Sequence, residues 1–164
     1  RSPRDAKPGY IEMDSITIYV NSRKLLFITL VDVVTKVAFA KRVPSLSAKQ
    51  ALGVLREFQV HYHLVIHTIQ TDNGSEFLAG FHSYLEAQGI NHIFSYPHTP
   101  KVNGIVERFN RTLQEEFIDR CDAWWYNPNL GDQKLTKFLA WYNQIRPHTS
   151  LNYQAPLTYA QQYI

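Results

Sequence analysis

Residues 25–31 read Leu-Leu-Phe-Ile-Thr-Leu-Val, an almost unbroken apolar run between polar flanks. A run this short and without alternation is expected to be a strand buried on both faces. Such a strand needs other strands beside it and further layers above and below. The neighbours are close in the chain. Residues 11–20 are rich in Ile, Tyr, Val and Thr, and residues 36–43 form a third run that carries Lys41 and Arg42 at its solvent end and stops at Pro44. Only residues 21–24 and 32–35 are left to connect the three, so they are expected to form an antiparallel meander with tight turns.

Beyond Pro44 the apolar period changes from strand to helix. Ser47 is placed to cap a helix over residues 48–62, with Ala51, Leu55, Phe58 and Tyr62 on one side and Leu52 and Val54 flanking. Residues 64–70 predict a fourth strand. Residues 76–88 predict a helix with Phe77, Phe81, Tyr84 and Leu85 on one side, closed by Gly89. Residues 90–94 predict a fifth strand, and residues 96–101 a loop with two prolines. Val102, Ile105, Val106, Phe109, Leu113 and Phe117 then recur at helical spacing, which predicts an amphipathic helix from residue 102 to about residue 120. Residues 121–131, with Trp124, Trp125 and Tyr126, read as irregular. Asp132 is expected to cap a helix that turns Leu135, Phe138, Leu139, Tyr142 and Ile145 inward and ends at Pro147; Pro156 opens a last short one. The order of elements implies an α/β chain built on a mixed five-stranded sheet with helices on both faces. Residues 1–9 read as a linker or extended arm, and residues 10–164 as one unit with a helical C-terminal extension.

Length and charge narrow the function. A chain of 164 residues is expected to be one domain with a sizeable core. The net charge of +3 and pI of about 9.0 are compatible with a nucleic-acid partner. A single cysteine, Cys121, leaves no internal disulfide and no multi-cysteine zinc site within one chain. No apolar run approaches the ~20 residues of a membrane span, so no membrane partner is expected. The chain opens on Arg1-Ser-Pro-Arg4 without a Met and is expected to be part of a longer protein.

Three acids stand at chemically useful places. Asp14 lies in the first apolar run, Asp72 just past the fourth, and Glu107 on the amphipathic helix. If the first and fourth strands are neighbours, Asp14 and Asp72 converge, and the helix brings Glu107 to them. Carboxylate oxygens suit the hard cations Mg2+ and Mn2+, and two such ions can clamp the attacking and leaving oxygens of a phosphoryl displacement. Gathered carboxylates repel one another, and a bound cation relieves that cost. Asn103, Glu107, Arg111 and Gln114 share one helix face, away from the apolar stripe, with Lys101 and Arg108 beside it. An acid next to cations suits a metal centre with a phosphate alongside. Taken singly, each has a plainer reading. Asp14 would be a hydrogen-bonded strand residue, Asp72-Asn-Gly a turn, and Glu107 with Arg111 a surface ion pair. The combination carries the argument.

Thr71-Asp-Asn-Gly-Ser-Glu-Phe77, Gly89-Ile90 and Tyr96-Pro-His-Thr-Pro-Lys-Val-Asn-Gly-Ile-Val-Glu-Arg-Phe-Asn-Arg-Thr-Leu113 resemble the catalytic core of retroviral integrases and DDE transposases. Tyr142-Asn-Gln-Ile-Arg-Pro-His-Thr-Ser-Leu151 resembles the end of bacterial insertion-sequence transposases. The resemblance runs from about Tyr10 to Tyr159. It implies a ribonuclease-H-like fold and a metal-dependent polynucleotidyl transferase that cuts and joins DNA ends. It carries Asp14, Asp72 and Glu107 over as catalytic, metal-binding residues for two Mg2+ or Mn2+ ions. Asn103 falls where a polar side chain meets the DNA end, and Arg108 and Arg111 where the helix presents basic groups. Lys101 and His98 join them as candidate DNA contacts. The expected partners are element ends, target DNA and further copies of the chain, in a cytoplasmic, nucleoid-associated setting. Only 34 residues separate Asp72 from Glu107, one short of the usual family spacing, which points to a change in the intervening helix or its turns.

Two rival readings keep the same residues. One is a domesticated core that binds DNA or partner subunits without catalysis, which metal binding would distinguish. The other is a ribonuclease-H-like nuclease, which would not join a 3′-hydroxyl DNA end. Other features point to structure. His61, His63 and His67 straddle a helix end and a strand and are not expected to converge. Trp124, Trp125 and Trp141 are expected to pack rather than to stack on bases. Arg146-Pro-His148 suits either a phosphate or a role holding the C-terminal loop.

Overall fold

The computed structural model describes residues 6–95 and 103–163. The meander forms as the apolar runs dictate. Strands β1 (Tyr10–Val20), β2 (Arg23–Asp32) and β3 (Ala38–Val43) are antiparallel neighbours, and Phe27, Ile28, Leu30 and Val31 of β2 are all buried. Asn21 and Ser22 both take left-handed backbone angles, as a two-residue hairpin that follows the strand twist requires. The second turn is organised by Asp32. Its buried carboxylate accepts hydrogen bonds from Val34 N at 2.9 Å, Thr35 N at 2.7 Å and Thr35 Oγ1 at 3.0 Å. It also accepts from Gly9 N at 2.6 Å, which ties the residues before β1 to the sheet.

Strands β4 (Thr68–Thr71) and β5 (Asn91–Phe94) extend the sheet on the other side of β1, each parallel to its neighbour, in the order β3-β2-β1-β4-β5. Helices cover both faces. Lys41 and Arg42 are consecutive on β3 and so point to opposite sides. Lys41 pairs with Glu57 of α1 (Ala48–Tyr62), whereas Arg42 makes a two-pronged contact with Asp132 of α5 (Pro128–Gln144), at 3.0 and 2.8 Å. Helix α1 has the expected limits, with Ser47 Oγ accepting from Gln50 N and Ala51, Val54, Leu55 and Phe58 buried.

The chain departs from the expected elements in several places, each with a local cause. Strand β4 begins at Thr68 rather than residue 64. Parallel pairing starts at Tyr10↔Thr68, so the residues before Thr68 have no strand beside them, and Val65 is 84% exposed. The helix expected over residues 76–88 is divided. Ser75–Phe77 form a single 3-10 turn, Ala79 takes a left-handed φ of 38°, and α2 (Gly80–Ala87) follows. Gly89 closes that stretch with φ 68°, as expected. Helix α3 (Gly104–Glu116) gives way to a 3-10 turn at Ile118–Arg120.

Residues 121–131 are not irregular. They hold the short helix α4 (Ala123–Tyr126) and the start of α5. The cap of α5 is Asn127, whose side chain accepts from Leu130 N at 3.2 Å with Pro128 in the first turn; Asp132 lies inside the helix. Asn followed by Pro is a stronger start signal than the later aspartate. Leu135, Leu139 and Tyr142 face inward, but Ile145 follows the last helical residue, Gln144, and is 66% exposed. A last helix, α6 (Pro156–Ala160), opens on its proline.

Asn143, buried near the end of α5, closes the open edge at β3. Its Oδ1 accepts from Ala38 N at 2.9 Å, while Nδ2 donates to Ala38 O and to Tyr62 Oη at 2.8 Å each. One side chain thus satisfies backbone groups that a further strand would otherwise claim.

Candidate active site

The site lies where β1 and β4 run side by side. Glu12 is level with Gln70 in that parallel pair; Asp14 is two residues further along β1, and Asp72 immediately follows β4. Both acids therefore leave the same end of the sheet centre. Asp14 Oδ1 accepts from Ser15 N and Oδ2 from Asn110 Nδ2, each at 2.8 Å. Asp72 is exposed, and its Oδ1 accepts from Gly74 N at 2.9 Å, the local turn its Asn-Gly context favours. Glu107 is exposed in the first turn of α3.

The carboxyl of Asp14 is pushed up to about 6. Burial is the largest cause; the hydrogen bonds from Ser15 and Asn110 oppose it, and the negative charges of Asp72 and Glu107 add to it. Two acids from elsewhere in the chain, one just past β4 and one on α3, thus act on the titration of a third. As the side chains stand, no three His, Cys, Asp or Glu among the described residues are close enough together to hold a metal ion. Asp14 is engaged with Asn110 and Asp72 with Gly74.

The remaining candidates divide. Arg108 and Arg111 are exposed on α3. Asn103 precedes the helix, and its Oδ1 accepts from Gln70 Nε2 at 2.6 Å and Ser95 Oγ at 2.9 Å, an internal role that sequence reasoning did not foresee. Lys101 and His98 lie outside the described residues. The histidines His61, His63 and His67 are used separately: His61 packs on Phe39, His63 ends α1 in a left-handed conformation, and His67 lies edge-on to Tyr10. Arg146 makes a two-pronged contact with Glu116 at 3.1 and 2.7 Å, and His148 lies edge-on to Tyr142, so this pair anchors the C-terminal segment.

Several residues of the site were not singled out from sequence. Asn110, three residues after Glu107 on the helix, holds Asp14. Glu12, fully buried, accepts from the backbone of α3, and Glu76, also buried, accepts from Ser15 Oγ. Helical spacing from Glu107, and strand spacing from Asp14, could have found Asn110 and Glu12. Behind Asp72, Thr71 Oγ1 donates to Asp72 O at 2.8 Å and meets His92 Nε2 at 3.0 Å. The threonine has one proton to give, so His92 Nε2 is the donor to it, and His92 Nδ1 accepts from His82 Nδ1 at 3.0 Å. Burial, then the neighbouring His82, pushes His92 down to about 4, which keeps it neutral.

The raised Asp14 carboxyl has a measurable consequence in metal-free protein. Between about pH 4 and pH 6 the folded state keeps the Asp14 proton while the unfolded chain has lost it, so stability falls as pH rises through this window. At ~1.4 kcal/mol per pH unit the loss is ~2–3 kcal/mol at most. Asp14→Asn has no such proton. Urea unfolding of the two proteins in EDTA should therefore show the variant gaining on the wild type from pH 4 to pH 6, and parallel profiles would contradict this.

Comparison with known proteins agrees with this architecture. Two family models described as integrase core domain match, one over residues 4–100 and the other over residues 88–156. A putative integrase, ORF3 of Spiroplasma virus SpV1-C74, is 26% identical over 173 residues, covering 92% of this chain and 47% of that protein. The insertion element IS476 uncharacterized 39.2 kDa protein of Xanthomonas euvesicatoria is 31% identical over 96 residues, covering 58% of this chain and 27% of that protein. The chain thus spans less than half the length of either. Among solved structures, the HTLV-2 integrase catalytic core domain in complex with magnesium, in its trimeric form, has a TM-score of 0.76 at 18% identity, covering 92% of this chain and 95% of that one. The catalytic core domain of BIV integrase has a TM-score of 0.71 at 21% identity, covering 96% and 97%. The fold is the ribonuclease-H-like fold of integrase catalytic cores.

Proposed function

The chain belongs to the integrase core domain family, and from that premise we propose that it is a metal-dependent polynucleotidyl transferase that cuts and joins DNA ends, with Asp14, Asp72 and Glu107 as its catalytic carboxylates. The observation that carries the reading is the field at Asp14: acids from β4's end and from α3 both raise its carboxyl. An all-carboxylate donor set, already under mutual repulsion, fits Mg2+ or Mn2+ better than a softer metal. Bound by these three acids, two such ions would supply charge stabilisation to the attacking and leaving oxygens.

The chain's own residues would do the rest. Asn110 orients Asp14 through its 2.8 Å hydrogen bond, and the Gly74 amide orients Asp72. Arg108 and Arg111, exposed on the helix that carries Glu107, offer positive charge to phosphates on either side of the reacting one. Asn103, Lys101 and His98 complete the proposed DNA-contacting set. A water oxygen, or a DNA 3′-hydroxyl oxygen, forms the new bond to phosphorus in line with the bond that breaks to the leaving oxygen. The partners proposed are element ends, target DNA and further copies of the chain, in a cytoplasmic, nucleoid-associated setting. The trimeric and dimeric forms solved for the HTLV-2 core are in keeping with self-association. No described helix is long and apolar enough to cross a membrane.

Crystals soaked in manganese and read by anomalous scattering test this. Density between Asp14 and Asp72, absent from an Asp72→Asn control, is the expected result. An empty site in both, with the carboxylates still apart, would count against it.

A further inference from the structure

Helix α3 carries Glu107, yet what sets its position comes from the strands. Glu12 and Asp14 are two residues apart on β1 and therefore face the same side of the sheet. That side meets α3. Asp14 accepts from Asn110 in the middle of the helix, and the fully buried Glu12 accepts from Ile105 N and Val106 N in its first turn, both through Oε2 at 2.9 Å. These amides have no partner within the helix, and a negative charge there also meets the positive end of the helix dipole.

The same arrangement recurs one strand over. Gln70 lies beside Glu12 in the parallel ladder, two residues before Asp72. Its Nε2 donates to Asn103 Oδ1 at 2.6 Å, and Ser95, just after β5, donates to the same oxygen at 2.9 Å. Asn103 O in turn accepts from Glu107 N at 3.0 Å. On each central strand, the residue two places before the acid thus grips the start of the helix that carries the third acid.

We propose that Glu12 and Gln70 are positioning residues that register α3 on the sheet and so set Glu107 against Asp14 and Asp72. This rests on the three acids forming one metal centre. Glu12 is assigned no metal in this scheme; its Oε2 serves two backbone donors. The scheme also makes the buried carboxylate intelligible: a helix whose apolar stripe alone held it could slide along the sheet, whereas hydrogen bonds to two particular amides fix its register.

The test compares Glu12→Ala, Glu12→Gln and Gln70→Ala with the wild type and with Asp72→Asn, each at a temperature where circular dichroism shows it folded. Two quantities are read: Mn2+ affinity by electron paramagnetic resonance, and amide exchange at Ile105 and Val106. Glu12→Ala should lose protection at those amides and bind Mn2+ ~10–100-fold more weakly, the usual cost of removing a group that supports metal ligands. Glu12→Gln keeps an acceptor oxygen and should recover most of both. Gln70→Ala should weaken Mn2+ binding while leaving the two amides protected; it decides the matter with Glu12→Gln if Glu12→Ala does not fold. Asp72→Asn should lose Mn2+ with exchange unchanged. If Asp72→Asn loses Mn2+ but the Glu12 and Gln70 variants bind it as the wild type does, the positioning role is overturned. If the wild type itself binds no Mn2+, the metal-centre reading fails instead, and protection unchanged in Glu12→Ala would separately overturn the grip on α3.

Discussion

Asp14→Asn, Asp72→Asn and Glu107→Gln are each expected to lower the joining of a DNA 3′-hydroxyl end to target DNA by about 10³-fold or more, since several kcal/mol of transition-state charge stabilisation depend on the complete set. Each substitution keeps the size of the side chain and removes its charge, so the fold should persist. Asp14→Asn should be at least as stable as the wild type at neutral pH without metal, because it removes a partly buried charge beside two others. Residues acting as one unit are not additive, so any double substitution should be hardly worse than a single one. The assay needs the protein with its own element ends, Mg2+ or Mn2+, and a readout that separates joining from nicking. Full joining activity in any one of the three would remove that residue from the set. Nicking without joining in the wild type would favour a nuclease.

The largest effect on stability is expected at the contact between Trp124 and Gly131. Trp124 is fully buried, with its indole edge-on to Phe27 of β2 at 5.6 Å and to Phe117 at 6.1 Å. Gly131 lies at the end of the first turn of α5, directly over that ring: a Cβ there would stand 2.3 Å from Trp124 Cε3 and 2.4 Å from Cζ3. Neither the ring nor the helix has room to yield in a close-packed interior. Trp124→Ala should cost ~3–5 kcal/mol, and Gly131→Ala ~1–3 kcal/mol by overpacking. Trp124→Phe should cost much less than Trp124→Ala, because the indole N–H has no partner among the described residues and its loss leaves no group unpaired. The decisive comparison is Gly131→Ala made in the Trp124→Ala protein. With the ring gone the added methyl has space, and its cost should largely vanish in urea unfolding. An undiminished cost would mean that the glycine serves the helix backbone and not the contact.

Strands and helices were legible wherever residues next to one another in the chain decide them. Ser47 capped its helix, Gly89 ended one, and the run around Phe27 and Ile28 lay buried on both faces. The misreadings fall where a distant partner or a competing local signal intervenes. Strand β4 could not start before its partner β1 did. Asn127 took the cap that Asp132 appeared to offer, and Asp132 was left for Arg42, 90 residues away. Between Asp72 and Glu107 the backbone turns at Ala79, where a single helix had been expected.

The sequence by itself determined the chemistry on offer: three carboxylates in order, one within an apolar run, one just past another and one on an amphipathic helix, with arginines beside the last. Period and residue type are local properties, so they survive without a structure. Only the tertiary structure decided which polar groups around them meet. Glu12 under the first turn of α3, Asn110 on Asp14, Gln70 on Asn103 and Ser15 on Glu76 each join elements far apart in the chain. A polar residue that will be buried looks in sequence like one that will be solvated. The difference arises only when the fold removes water and leaves a single partner within reach.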